Sequence, residues 1–242
     1  MFIEFYIIST LLGGNKMKRY IKNMNMLSSE ENEKLKKFRV CVIGCGGLGG
    51  YIIEMLGRLG IGNITAVDGD VFDETNLNRQ LLSNSDTMGK SKATAAQERM
   101  KLVNPLIEIN PILKRFSENN GEEILRGHDV VIDAVDNIET RFIIQKIASK
   151  LNIPMVHGAI AGWYGQATTI LPGDNTLDMV YPDKKVKGLE NELGNPSFTP
   201  ALIASIQVSE VLKILIGRGE ILRKKLLYID LLEGDYTVMD LK

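Results

Sequence analysis

Cysteine is nearly missing from this 242-residue chain, where Cys41 and Cys45 are the only two. Two thiols four residues apart neither staple a disulfide scaffold nor complete a four-thiolate zinc site, so both are excluded. The usage fits a reducing, cytoplasmic setting. An excess of either charge is missing as well: 29 Lys and Arg stand against 30 Asp and Glu, for a formal net charge of -1. Without a broad basic field, composition argues against nucleic acid or an anionic membrane as partner. Histidine is scarce, and neither His128 nor His157 lies near a serine or cysteine nucleophile signature, so both read as core or edge residues. The apolar opening from Phe2 to Leu12 contains Glu4, lacks a basic start, and is shorter than the roughly 17 to 25 residues a membrane span needs. Residues 1–16 are expected to be a non-native or disordered extension. Gly13-Gly14 can be encoded by a purine-rich ribosome site just ahead of Met17, which reads as the start.

What is present suffices for a packed core, with 44% of residues hydrophobic. Ser28 and Glu31 have capping-box spacing before a charged run ending at Lys37, which predicts a short solvated helix. Arg39 to Ile43 reads as a strand entering a glycine turn, after which Leu48, Ile52, Leu56 and Leu59 recur at helical spacing. Gly60 and Gly62 end that helix, and Ile64 to Val67 forms a strand closing at Asp68. A helix follows from about Ser91 to Val103, then an extended stretch from Ile107 to Lys114 interrupted by Pro111. Val130 to Ala134 reads as a buried strand, Asp136-Asn137 as the cap of a helix reaching about Leu151, and Met155 to His157 as the next strand. This alternation predicts an α/β, doubly wound, Rossmann-like fold with a mainly parallel sheet covered on both faces.

Beyond Gly158 come a strand near Gln166 to Leu171 and a long polar segment from Pro172 to Pro196. An apolar helix from about Thr199 to Ile216 suits either the core or a dimer interface. The additional C-terminal strands are Leu226 to Ile229 and Tyr236 to Met239, with a turn at Glu233-Gly234. No internal repeat or low-complexity tract occurs.

Gly44-x-Gly46-x-x-Gly49 has the spacing of a phosphate loop, because glycines permit a tight turn and the next helix offers its first amides to an anion. Asp68, at the end of the second strand, is placed to accept ribose hydroxyls. A dinucleotide dehydrogenase begins the same way. Beyond Asp68, however, Asp70, Asp73, Asn76, Asn78, Arg79 and Gln80 crowd together, and Lys92 follows on the next helix. A cationic pair of this kind suits a triphosphate whose terminal phosphates depart as a leaving group. Read singly, Arg79 and Lys92 are equally a solvated surface pair.

Four ordered motifs, GCGGLGG at 44–50, DGDVFDETNLNRQ at 68–80, MGKSKA at 88–93 and DAVDN at 133–137, resemble those of the ThiF/MoeB/HesA adenylating enzymes, bacterial relatives of ubiquitin-activating enzymes. The resemblance extends through GAIAGWYGQATTILPG at 158–173 and LGNPSFTPALIASIQVSEVLKILIG at 193–217. It implies a single adenylation domain over 17–242, with a nucleotide-binding half at about 38–158 and a carrier-binding half at about 159–242. It also implies ATP-dependent adenylation of the C-terminal glycine of a small ubiquitin-like sulfur-carrier protein ending in Gly-Gly, with pyrophosphate released, in thiamine, molybdopterin or related biosynthesis. By the same resemblance Gly46, Gly47 and Gly49 cradle phosphate, Asp68 holds the ribose, Asn76, Arg79, Gln80 and Lys92 contact the triphosphate, and Gly44, Asp70 and Asn137 belong to the same nucleotide site. Asp136 matches the residue that positions magnesium, although helix capping explains Asp136 and Asn137 as well.

The resemblance further implies a homodimer in which an N-terminal arginine reaches the partner's site. Here the string is Arg19-Tyr20-Ile21-Lys22, so Lys22 would carry the charge without the planar fork. Many relatives bind zinc through two CxxC pairs, whereas no cysteine follows Cys45 in this chain. Cysteine-held zinc is thereby excluded. The same absence implies that sulfur comes from a separate donor after the adenylate has formed. Trp163 and Tyr164, in a glycine-containing turn, read as packing residues in preference to a lining for the carrier's tail. A dehydratase acting on modified transfer RNA, a nicotinamide-dependent dehydrogenase and a non-catalytic carrier-binding scaffold are the alternatives.

Overall fold

The computed structural model describes residues 18–183 and 190–241. The expectation for residues 1–16 lies outside them. Ser28 caps α1 (Ser29–Leu35) with both halves of the capping box formed: the Glu31 N–H donates to Ser28 Oγ at 3.1 Å, and the Ser28 N–H donates to Glu31 Oε2 at 2.7 Å. The helix stops at Leu35, two residues short of the charged run's end.

The chain then alternates as the hydrophobic pattern requires. β1 (Arg39–Ile43), α2 (Gly47–Leu59), β2 (Asn63–Val67), α3 (Lys92–Val103), β3 (Glu108–Ile112), α4 (Gly121–Leu125), β4 (Val130–Asp133), α5 (Ile138–Lys150) and β5 (Met155–Ala161) build the parallel part. β6 (Tyr164–Ile170), α6 (Thr176–Val180), α7 (Glu190–Leu193), α8 (Phe198–Ile216), β7 (Lys225–Asp230) and β8 (Asp235–Asp240) complete it. One sheet of eight strands runs in the order β3-β2-β1-β4-β5-β6-β7-β8, parallel through β5 and antiparallel thereafter. Pro111, which has no N–H to donate, is tolerated inside β3 because β3 is an edge strand.

Successive β1 side chains divide between two cores, as the pleat dictates. Val40 and Val42 join Ile52, Ile53, Leu56, Ala96 and Ile203 beneath α2, α3 and α8, whereas Cys41 and Ile43 join Leu125, Ile144 and Ile147 beneath α4 and α5. Each fully buried aliphatic side chain contributes about 1.5–3 kcal/mol. α8 is long and apolar enough by composition to cross a membrane, yet Ile203, Ala204, Val208 and Val211 are buried in the core, which accounts for one of its faces. β5 runs four residues past His157 and pairs with β6 through a hairpin at Gly162-Trp163. Gly158, Ala159 and Ala161 have weak strand preference, so the continuation depends on the partner strand.

The strand order reverses between β1 and β4. β1 leads to β2 on one side, and β3 leads across to β4 on the other. Open α/β sheets bind ligands outside the carboxyl ends of their strands at such a point.

Candidate active site

At that switch point lies a cleft of about 860 Å³, lined by the ends of β1, β2 and β4, the start of α2, and residues from the loops after β2 and β3. The size suits a nucleotide-sized ligand. Gly44, Gly46, Gly47, Asp68, Asp70, Arg79, Gln80, Lys92, Asp136 and Asn137, all named from sequence, line it. Gly49, Asn76 and Lys22 do not.

The glycine turn has a steric explanation. Gly44 has φ +97°, and a Cβ there would sit 2.5 Å from the Ala134 carbonyl oxygen. A Cβ on Gly49 would sit 1.8 Å from the Gly44 carbonyl oxygen, so Gly49 packs α2 onto the turn and does not itself face the cleft. An added Cβ on Gly46 would touch the Gln80 side chain at 3.4 Å and one on Gly47 would touch Pro200 at 3.8 Å, ordinary contact distances that leave both glycines without a steric requirement. Among the described residues no side chain caps α2, nor α4, α6 or α8, whereas Ser91 caps α3 and Asn137 caps α5; of the uncapped starts, that of α2 is the one that follows the glycine turn at the cleft. The first amides of α2 are thus left for an anion, at the positive end of a 13-residue helix.

Asp68 takes the Cys45 N–H on Oδ2 and the Asp70 N–H on Oδ1, each at 2.8 Å, which fixes the carboxylate and leaves further lone pairs for hydroxyl donors. Burial pushes its pKa up, against the two N–H groups and Lys92. Lys92 opens α3, the helix end where a cation is disfavoured, and is only 9% exposed. Asp70 Oδ2 is 4.0 Å away, and Asp68 and Asp73 also interact with it electrostatically, so Lys92 lies among carboxylates without a close ion pair to any described one. Arg79 donates from Nη1 to the Thr75 carbonyl and to Asn78 Oδ1, both at 2.9 Å. Among the described residues no carboxylate forms an ion pair with it within 4.0 Å, and Asp73 interacts with it from further away. Gln80 and Asn195 also line the cleft, and among the described residues the buried side-chain oxygen of each has no hydrogen-bond partner.

Asn76 departs from expectation. It is buried inside a small capping box, accepting the Asp73 N–H at 3.3 Å and donating to Asp73 Oδ1 at 3.4 Å, so it shapes the 73–80 loop from behind. Asn137 caps α5 by accepting the Thr140 N–H at 2.9 Å. Asp136 takes no part in the cap. It is exposed, and among the described residues it receives one long bond, from Asn137 Nδ2 at 3.4 Å.

Lys22 is exposed in a 3-10 turn, Lys18–Asn23, anchored where Asn23 Nδ2 donates to the Leu59 carbonyl at 3.2 Å. That is the far end of α2, about 20 Å from the glycine turn at 1.5 Å per residue. One chain therefore does not bring Lys22 to its own cleft. Arg19 donates to the Val103 carbonyl at the same end. Trp163, 45% exposed, rests on Phe198 with ring centroids 4.8 Å apart and does not plug the core.

Several cleft residues escaped the sequence reading. Lys114 and Arg115 follow β3, and Arg115 pairs with Asp70 at 3.0 Å. Arg141 enters from the first turns of α5 and is buried. Both thiols are buried, and burial raises the pKa of each, so neither is an activated nucleophile. His128 bonds the Leu125 carbonyl and Thr65 Oγ1, and His157 is enclosed beside Asp133, in keeping with structural roles.

Residues 18–242 match the ThiF family. The chain is 33% identical over 233 residues to the SAMP-activating enzyme E1 of Haloferax volcanii, covering 94% of this chain and 86% of that one. It is 32% identical over 238 residues to the sulfur carrier protein adenylyltransferase of Thermus thermophilus, covering 94% and 88%. The crystal structure of PaaA shares the fold, with a TM-score of 0.80 at 21% identity over 96% of this chain and 76% of that one. The glycine turn, the ordered motifs and these likenesses agree: the chain belongs to the ThiF family.

Proposed function

We propose that this protein adenylates the C-terminal glycine carboxylate of a small ubiquitin-like sulfur-carrier protein at the expense of ATP, in the biosynthesis of a sulfur-containing cofactor. The observation that carries the reading is the uncapped start of α2 sharing one cleft with Arg79 and Lys92, neither of which makes a close ion pair with a described carboxylate. Relatives named for sulfur-carrier adenylation support it.

The chemistry asks for little proton transfer. A terminal carboxylate is ionised at neutral pH, so it attacks the α-phosphorus directly, the bond to the bridging oxygen breaks, and pyrophosphate leaves. The amides of Gly47 and its neighbours hold phosphate oxygens, Asp68 holds the ribose, and Arg79, Lys92 and Gln80 stabilise the departing pyrophosphate. Among the described residues no cluster of three or more His, Cys, Asp or Glu side chains forms a metal cage. One exposed carboxylate beside a triphosphate site nevertheless fits magnesium, which is usually shared between one or two carboxylates and substrate phosphates. Asp136 would hold the ion, which when bound neutralises phosphate charge.

The step proposed for these residues ends at the adenylate, because Cys41 and Cys45 are both buried and neither is placed to take over the acyl group. Pairing of two copies is part of the proposal, as the way Lys22 of one would approach the cleft of the other. The test is exchange of labelled pyrophosphate into ATP with magnesium and a Gly-Gly-ended carrier. Exchange that depends on the carrier's terminal carboxylate is expected. Absence of exchange while ATP and carrier both bind would favour a scaffold.

A further inference from the structure

A buried polar network lies behind the cleft. Asp133 ends β4 and His157 sits beside it in β5, both fully enclosed, with His157 Nδ1 2.6 Å from Asp133 Oδ2. Burial holds the imidazole below its ordinary pKa, so the neutral ring donates from Nδ1 to Asp133 and accepts the Tyr181 hydroxyl proton at Nε2, 3.2 Å away. The Tyr181 oxygen in turn accepts from Arg141 Nη1 and Gln166 Nε2, both at 2.7 Å. Arg141 Nε is 3.6 Å from Asp133 Oδ2, and its guanidinium lies 5.4 Å from the Tyr181 ring centroid.

The same groups hold the Val135 residue from both sides. Its N–H donates to Asp133 Oδ1 at 3.1 Å, and its carbonyl accepts from Arg141 Nη2 at 2.9 Å. Asp136 is next in the chain and has little else to orient it. Tyr181 comes from the segment between β6 and α8, whose helix α6 docks on α5 through the Leu177 N–H to Gln145 Oε1 bond at 2.9 Å. Burying a carboxylate, a guanidinium, an imidazole and a phenol together is costly, and stability alone is as well served by apolar packing. Such a network fixes geometry, and its members depend on one another.

We infer that Tyr181 and Arg141 are positioning residues that tie the seating of the segment after β6 to the aim of Asp136, and hence to magnesium-dependent binding of ATP. The inference rests on the nucleotide and magnesium roles proposed above. Tyr181→Phe keeps the ring and removes the oxygen that Arg141, Gln166 and His157 share. Arg141→Lys keeps the charge but replaces the planar fork, whose two terminal nitrogens reach the Tyr181 oxygen and the Val135 carbonyl separately, with a single nitrogen.

The experiment is equilibrium binding of ATP to the full chain with and without magnesium, alongside thermal unfolding. In Tyr181→Phe magnesium-free affinity is expected to stay near that of the unaltered protein, and in both variants the factor by which magnesium tightens ATP is expected to fall about tenfold, as when a supporting residue behind a metal ligand is lost. A tightening factor equal to that of the unaltered protein would overturn the inference. So would a loss confined to magnesium-free affinity, which marks a purely structural role. If Tyr181→Phe fails to fold, the Arg141→Lys ratio decides by the same criterion. Magnesium-tightened binding without any pyrophosphate exchange would sink the adenylation reading and leave this inference standing.

Discussion

At the amino end of the parallel strands, Asn104 donates to the Tyr20 hydroxyl and to the Gly57 carbonyl, each at 2.7 Å, and accepts the Leu106 N–H at 3.3 Å. Asp129 takes the Arg39 N–H at 2.7 Å close by. At the carboxyl end, among the described residues, Gln80 and Asn195 leave buried oxygens without partners, Lys92 makes no close ion pair, and α2 starts without a side-chain cap. The first pattern is how a fold satisfies its own polar groups. The second leaves hydrogen-bonding and charge capacity for something that is not part of the chain. Both ends are built from the same sheet, and the difference is what the proposed nucleotide site at the carboxyl end would require of its residues.

Substitutions should separate the two ends cleanly. The largest effect is expected from Arg79→Ala and Asp136→Ala, which should lower carrier-dependent pyrophosphate exchange by about a hundredfold or more. Neither removes a buried contact, so chemical denaturation should show a change within about 0.5 kcal/mol. Asn104→Ala should do the opposite. It strands the Tyr20 hydroxyl and the Gly57 carbonyl, so stability should fall by about 1–3 kcal/mol while exchange per folded molecule stays unchanged. An Asn104→Ala protein that is stable but inactive would break the division.

A smaller effect is expected from pH. Burial lowers the pKa of both His128 and His157 in the folded state. The unfolded chain then binds more protons below about pH 6.5, so stability is retained above that value and lost as the pH falls through it. Each histidine adds a slope of at most about 1.4 kcal/mol per pH unit, readable by denaturation between about pH 7.5 and 5.5. A flat profile there would mean that folding leaves the affinity of the two histidines for protons unchanged, and stability rising as the pH falls would mean that they are held protonated in the folded protein. The smallest effect is expected from Cys45→Ala, which should leave the exchange rate intact because the buried thiol has no chemical role; an abolished rate in a folded variant would reveal a thiol step.

The parallel core and the front of the cleft were legible because their signals are local. Gly44 to Gly49 and Asp68 lie at strand ends that hydrophobic periodicity already marks, and Asp136-Asn137 abuts a strand and a helix. Two features carried less than the motif implied: Gly49 packs against Gly44, and Asn76 supports its loop from behind, because identical spacing serves packing and contact alike. Lys114 and Arg115 were not legible. They follow an edge strand containing Pro111, and only the strand order places that edge beside Asp68 and Asp70. The Asp133, His157, Arg141, Gln166 and Tyr181 network draws on five separate stretches, so no sequence window contains it.

The most direct test of the account is the intact mass of a Gly-Gly-ended sulfur carrier incubated with this protein, ATP and magnesium. The account predicts that the carrier gains one adenylyl group at its terminal carboxylate, and that a carrier lacking its last glycine gains none. An unmodified carrier, in the presence of protein that demonstrably binds both it and ATP, would contradict it.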